Sequence, residues 1–216
     1  MADRIACGSG PDFVIAGPED SVAGDCENVD NGRAKRAKLG KTARVKPLKG
    51  RLGFSPRRIR RTVPLKDVLN LPLGSAVDAR GGSVNLTSAR GRKSQQTAVL
   101  AAGLFQVLQG RSTRAVTELR LKGGDFRACA AGMKAGPVVA AATRKRVVRR
   151  LRTRARGRFR TRGRYSAATV RGTVYTVEDR CDGTLTRVRR GKVLVRDFKR
   201  RKTILVRAGK RYLAKR

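Results

Sequence analysis

YSAATVRGTVYTVEDRCDGTLTRVRRGKVLVRDFKRRKTILVRAGKRYLAK, residues 165–215, decides the fold. Asp182-Gly183 is a hairpin dipeptide between 174–178 and 184–188, two runs in which every second residue is apolar or β-branched. Val193/Val195 and Ile204/Val206 alternate with polar neighbours, and Gly172, Gly191 and Gly209 punctuate the runs. The pattern predicts five or six strands in a meander, apolar faces together and Arg and Lys outside.

Upstream, residues 147–162 (VVRRLRTRARGRFRTR) read as two arginine-rich strands around a turn at Arg156-Gly157, with an arginine-rich helix as the alternative. Residues 128–146 are Ala-rich, then basic, and fit a short helix or a disordered connector. From 62 to 127 a β-module is predicted. In it 76–78 and 84–86 flank a hairpin at 79–82, 97–109 is an apolar run, and 115–121 alternates. Residues 32–61 are basic with isolated apolar positions and two prolines, and read as a linker. The fold class is therefore mainly β: small sandwich or meander modules joined by basic linkers, behind a short acidic cap-like N-terminus. The boundaries are 1–31, 32–61, 62–127, 128–146 and 147–214.

Charge supports the first boundary. Residues 1–31 hold seven acids and one base, about −6, and the rest carries eight acids and 52 bases, about +44, within a chain of net +38. The break falls at the turn dipeptide Asn31-Gly32. There is no His, which excludes Ser-His-Asp and Cys-His catalysis and His-ligated zinc. No apolar run approaches the ~20 residues that span a bilayer. No Gly-x-Ser-x-Gly elbow occurs, and the acids after residue 31 are scattered. Asp179 and Asp182 flank a turn, where exposure is expected. A non-enzyme is the reading.

Four cysteines, Cys7, Cys26, Cys129 and Cys181, form no C-x-x-C. Two disulfides have three connectivities. The modular organisation favours Cys7–Cys26 and Cys129–Cys181, worth roughly 3 and 4 kcal/mol in the chain-entropy model, in an oxidising compartment. The alternative is four reduced, buried thiols.

Two resemblances extend this reading. Gly8, Gly10, Asp12 and Val14 fall on the nonapeptide G-G-x-G-x-D-x-U-x, and Asp3 and Ile5 lie nine residues earlier than Asp12 and Val14. With DRIxCGxGxDxVxA…DCE over 3–27, this stretch resembles the end cap of a haemolysin-type (RTX) calcium-binding repeat array. The resemblance implies a Ca2+ site using Asp12 and Asp3, and, because a cap implies a solenoid, an internal start at Met1 in a longer product. No signal peptide opens at Met1-Ala2-Asp3-Arg4. The second resemblance rests on Thr169, Arg171-Gly172-Thr173, Tyr175, Val177, Gly183-Thr184, Gly191, Val193, Val195 and Ala208-Gly209. These resemble the FecR-type domain over about 160–214. That implies an extracytoplasmic β-module without catalytic residues. It does not carry over the regulator's signal relay, because the transmembrane helix of that regulator is missing.

Two partner classes are expected. One is an anionic surface polymer, cell-wall polymer or polysaccharide or extracellular nucleic acid, held by an exported or cell-surface module. The other is intracellular nucleic acid. Its warrant is 154–165 (RARGRFRTRGRY), where Arg154, Arg156, Arg158, Arg160, Arg162 and Arg164 interleave with Phe159 and Tyr165 as phosphate-binding cations and stacking rings.

Overall fold

In the computed structural model the described residues are all except 1, 11, 18, 27, 31–35, 60, 135 and 136. The Asn31-Gly32 boundary and Glu27 lie outside them. No helix among the described residues is long and apolar enough to cross a membrane.

The N-terminus makes four short strands, β1 (Arg4–Ile5), β2 (Phe13–Ile15), β3 (Ser21–Val22) and β4 (Asn28–Asp30). β1 pairs with β3 and β2 with β4, both parallel, so the chain winds two coils with two sides. Acids close the turns of these coils. The Asp20 carboxylate accepts the Asp3 and Gly17 N–H groups at 3.0 and 2.6 Å, and Asp25 accepts Gly8 and Cys7 at 2.8 and 3.2 Å. These donors hold both carboxyls below the usual Asp range. The coils dock on the large β-structure: Phe13 meets Phe54 edge-on at 5.5 Å, and buried Asp30 accepts the Asn70 N–H.

The remaining strands are β5 (Thr42–Ser55), β6 (Val63–Pro64), β7 (Leu69–Pro72), β8 (Ala76–Ala89), β9 (Gln95–Ala101), β10 (Leu104–Gln109) and β11 (Thr117–Leu121), then β12 (Val147–Arg162), β13 (Ser166–Arg180), β14 (Gly183–Arg190), β15 (Lys192–Asp197), β16 (Thr203–Arg207) and β17 (Arg211–Lys215). Helices α1 (Arg127–Lys134) and α2 (Pro137–Arg144) separate β11 from β12. Pro137 opens α2, where its missing N–H costs nothing.

All thirteen strands from β5 onward are hydrogen-bonded into one network. Its frame is four long strands, each serving two sheets. The early half of β8 pairs with β10 and its later half with β9. The early half of β12 pairs with β9, antiparallel, and its later half with β11, parallel. The early half of β13 pairs with β15 and its later half with β14. Strands that change sheets in this way form the corners of an orthogonally packed sandwich. The corners carry bulges, at Pro47/Lys49 and Arg51/Gly53 in β5 and at Ala155/Arg158 in β12.

The order of elements occurs twice. β5, β8, β9, β10 and β11 correspond to β12, β13, β14, β15 and β16: a bent hairpin, a strand on the later half of its second arm, a strand on the earlier half, and one more outside that. Ser75-Ala76 with Arg80-Gly81 matches Ser166-Ala167 with Arg171-Gly172. Buried positions coincide: Ser75 with Ser166, Val77 with Ala168, Ala79 with Val170, Val84 with Tyr175, Leu86 with Val177, Ser88 with Asp179.

The structure departs from several sequence-based boundaries. Residues 32–61 are not simply a linker, because 42–55 forms β5. Ala43, Val45 and Phe54 point inward, and Pro47 stands at a bulge, where a missing N–H is tolerated. The segments 76–78 and 84–86 are one strand, not a hairpin, since Gly81 and Gly82 let β8 bend against β5 at Lys49 and Arg51. Likewise 147–162 is one strand with a bulge at Gly157, not two strands or a helix. Residues 128–146 hold two helices. The modules at 62–127 and 147–214 share one core, from Ala43 to Val206, through β9, β11 and β12. The C-terminal strands are not a simple meander, because β15 crosses back to β13 rather than pairing with β14.

Candidate anion-binding cleft

The period of β12 puts Arg152, Arg154 and Arg156 outside and Leu151, Thr153 and Ala155 inside. At the next corner β12 bulges, and β13 turns through Gly172, whose φ is +84°. A register shift at Val174/Tyr175 brings Arg190 opposite Val174. The Thr173 hydroxyl donates to the Lys192 carbonyl at 3.0 Å and fixes the turn into β15. The result is a cleft of about 670 Å³ floored by Ala155, Thr173 and Val174, with Arg154, Arg156, Arg189 and Arg190 in its walls. Among the described residues none of these four guanidiniums has a carboxylate partner within ion-pair distance. Four unpaired cations around an open, polar-rimmed concavity make a place for an anion with several charges.

The bulge is held from inside by a buried side chain. Gln96 Oε1 accepts the Arg158 N–H at 2.8 Å, and its Nε2 donates to the Arg158 carbonyl at 3.3 Å and to Thr117 Oγ1 at 2.9 Å. The corner below the cleft is thus part of the fold and does not depend on a ligand.

The six arginines singled out in the sequence do not form one site. Arg154 and Arg156 line the cleft. Arg158 lies beyond the bulge, opposite Arg171. Arg160 reaches Glu118 at 3.8 Å and donates to Thr169 at 3.3 Å. Arg162 stacks on Phe198 at 5.0 Å, and Arg164 on Phe126 at 4.5 Å and Tyr165 at 5.7 Å. Phe159 is fully buried, so it offers no ring to a base. Sequence reasoning misses Arg189 and Arg190 because they come after a different turn. The signal that finds them is the β13–β14 register, which needs the bulge.

Asp179 corrects a second expectation. It is fully buried, not exposed. It accepts Arg149 Nε at 2.7 Å, the Arg164 N–H at 2.9 Å and the Thr184 hydroxyl, and so ties the start of β12 to the 163–165 turn. Every oxygen is committed to structural donors, which argues for a frame rather than a catalytic carboxylate.

In the N-terminal coils Asp3 is exposed before β1 and Asp12 half-buried before β2. Among the described residues the group of candidate metal ligands is Cys7, Asp25 and Cys26, not one containing Asp3 or Asp12. The sulfurs of that group are joined to each other. Two disulfides, Cys7–Cys26 and Cys129–Cys181, are formed, each with Cα atoms 5.3 Å apart. The second fastens α1 to the β13–β14 turn. Two bridges with no free cysteine fit an oxidising compartment. A comparison of the chain with protein-family models, curated proteins and solved structures finds no match in any of the three.

Proposed function

We propose that the chain is a non-enzymatic, extracytoplasmic interaction module that holds anionic polymers of the cell surface or its surroundings, with the Arg154/Arg156/Arg189/Arg190 cleft as its anchoring point. The observation that carries this reading is the cleft itself: four cations without acidic partners on a corner braced from within. The surplus of bases over acids supplies long-range attraction around it. The disulfides favour this over an intracellular nucleic-acid binder, as does burial of Phe159. The resemblance to an RTX end cap adds that the N-terminal coils adjoin further coils of the same kind, and that Ca2+ lies between such coils rather than on Asp3 and Asp12 alone.

The test is a titration with polyphosphate and with polygalacturonate across a range of salt. Replacing Arg154, Arg156 and Arg190 by Ala together should lower the slope of log affinity against log salt by about one for each arginine–anion pairing removed. Replacing Lys46, Lys49 and Arg51 by Ala should leave the slope nearly unchanged. Equal reductions from both triples would mean diffuse attraction and overturn the cleft. Duplex DNA held more tightly than either polymer, through the same three arginines, would favour the nucleic-acid reading.

A further inference from the structure

The two repeats end differently. In the first, both outer strands are continued: β9 takes the early half of β12, and β11 takes the later half as a parallel neighbour. In the second, β14 is continued by β17, but among the described residues β16 pairs only with β15 and ends the sheet. We propose that the free edge of β16 is a docking site for an extended acidic segment of a partner protein, added as a parallel strand in the place that β12 takes beside β11.

The edge offers the necessary groups. The Asp197 N–H donates to the Lys202 carbonyl at 2.9 Å, within the β15–β16 register. Alternation along an antiparallel ladder then makes Val195/Ile204 and Val193/Val206 the pairs that exchange hydrogen bonds. The N–H and C=O groups of Thr203 and Leu205 and the N–H of Arg207 therefore face outward, while the Arg207 carbonyl accepts the Lys210 N–H at 3.0 Å in the turn that follows. Such a row is a template for one more strand. Beside it Leu194 and Leu205 stand directly opposite each other on the outer face, 49% and 45% exposed. Lys192, Arg196 and Arg207 lie on the same face, so the acidic side chains of an incoming strand would stand there with their methylene stems beside Leu205, and its apolar side chains would fall on the inner face.

Charge selects the occupant. Where the first repeat receives its parallel strand, the acceptor β11 carries Glu118 and the incoming β12 carries Arg160, in register and 3.8 Å apart. On β16 the sign is reversed. The strand has no acid, Arg207 faces Lys192 across the ladder and Thr203 faces Arg196, and Arg200, Arg201 and Lys202 precede it. A basic strand would be repelled and an acidic one drawn in. A second copy is a poor fit: its equivalent strand, β5, is basic and already has β6 and β7 on its outer edge.

The probe is a fluorescein-labelled, end-capped heptapeptide alternating Glu and Val, read by anisotropy and by amide hydrogen exchange of the intact protein. Binding should slow exchange at Thr203, Leu205 and Arg207, and a Glu-Pro peptide of equal charge should bind far more weakly. Leu205→Pro removes an outward donor and no bond to β15, and should weaken binding by about tenfold or more. Arg196→Glu with Arg207→Glu leaves the backbone donors in place and should transfer the preference to a Lys-Val peptide. Equal binding of the Glu-Pro peptide, or protection at the β12–β13 corner instead of β16, overturns the proposal without touching the polymer cleft. Protection of the same three amides by raised protein concentration alone overturns the acidic partner in favour of a second copy.

Discussion

The first repeat, from Thr42 to Leu121, and the second, from Val147 to Arg207, build the same bent sandwich from different materials. In the first, the buried position on the later half of the long second strand is Ser88. It joins a neutral network in which its hydroxyl lies 2.7 Å from Thr117 Oγ1 and Gln96 donates to both. In the second the equivalent position is Asp179, and the network is ionic, with Arg149 as the cation. The corners differ as well. In the first they are tight: a Cβ on Gly82 would collide with the Lys49 carbonyl oxygen. In the second, Gly172 has no atom within 4 Å of where its Cβ would be and is needed only for its φ of +84°. One plan thus has a neutral network at that buried position in one half and an ionic one in the other, while close approach at the second corner falls on β12, where a Cβ on Gly157 would meet Gln96.

The largest contrast is expected at that paired polar position. Asp179→Ala strands a mostly buried Arg149 and the Arg164 N–H, and should cost about 3–5 kcal/mol. Ser88→Ala should cost about 1 kcal/mol. Urea unfolding of the two variants measures this, and equal losses would break the comparison. Next come the corners. Gly82→Ala must push β8 away from β5 and should cost about 3 kcal/mol, against about 1 kcal/mol for Gly172→Ala. A larger loss at Gly172 would mean that the β13 arm of the second corner is as closely packed as its β12 arm at Gly157.

The smallest effect sharpens the contrast between Val84 and its counterpart Tyr175. The Tyr175 hydroxyl lies 2.8 Å from Thr161 Oγ1, and Tyr175→Phe should cost about 1 kcal/mol. Burial pushes its pKa up to about 12, from an ordinary value near 10. A raised acid pKa means that the neutral form is favoured by the fold. Its stabilisation is complete below pH 10 and is lost as pH rises through about 12. Alkaline unfolding of the Phe variant should lack that loss. An unchanged alkaline limb would place its cause elsewhere.

How much of this was written in local sequence varies by element. The Asp182-Gly183 turn was legible because a two-residue loop carries its own conformational signature. So was the inward set Val193, Val195 and Val206. The long bent strands were not. Arg156-Gly157 and Arg80-Gly81-Gly82 look like hairpin turns, and only the neighbouring strands make them bulges. β5 was hidden because its apolar residues are sparse and its outer face is basic. The burial of Asp179 was invisible because its cation, Arg149, lies thirty residues away along the chain. The cleft was half legible: Arg154 and Arg156 come from an obvious run, whereas Arg189 and Arg190 join them only through a shifted register.

β12 closes the first repeat and opens the second, and this has a consequence for biosynthesis. A nascent chain that has emerged only through α2 carries two bare edges, β9 and β11, with no strand yet made to fill them. For that interval it is a sticky intermediate of the kind that chaperones shield. The outer sheets of the first repeat are completed only by the first strand of the second, so a single segment finishes one repeat as it begins the other. Arg150, Arg152, Arg154, Arg156 and Arg158 give that late segment a strong positive charge, which keeps it solvated and discourages it from pairing with itself before it reaches its place.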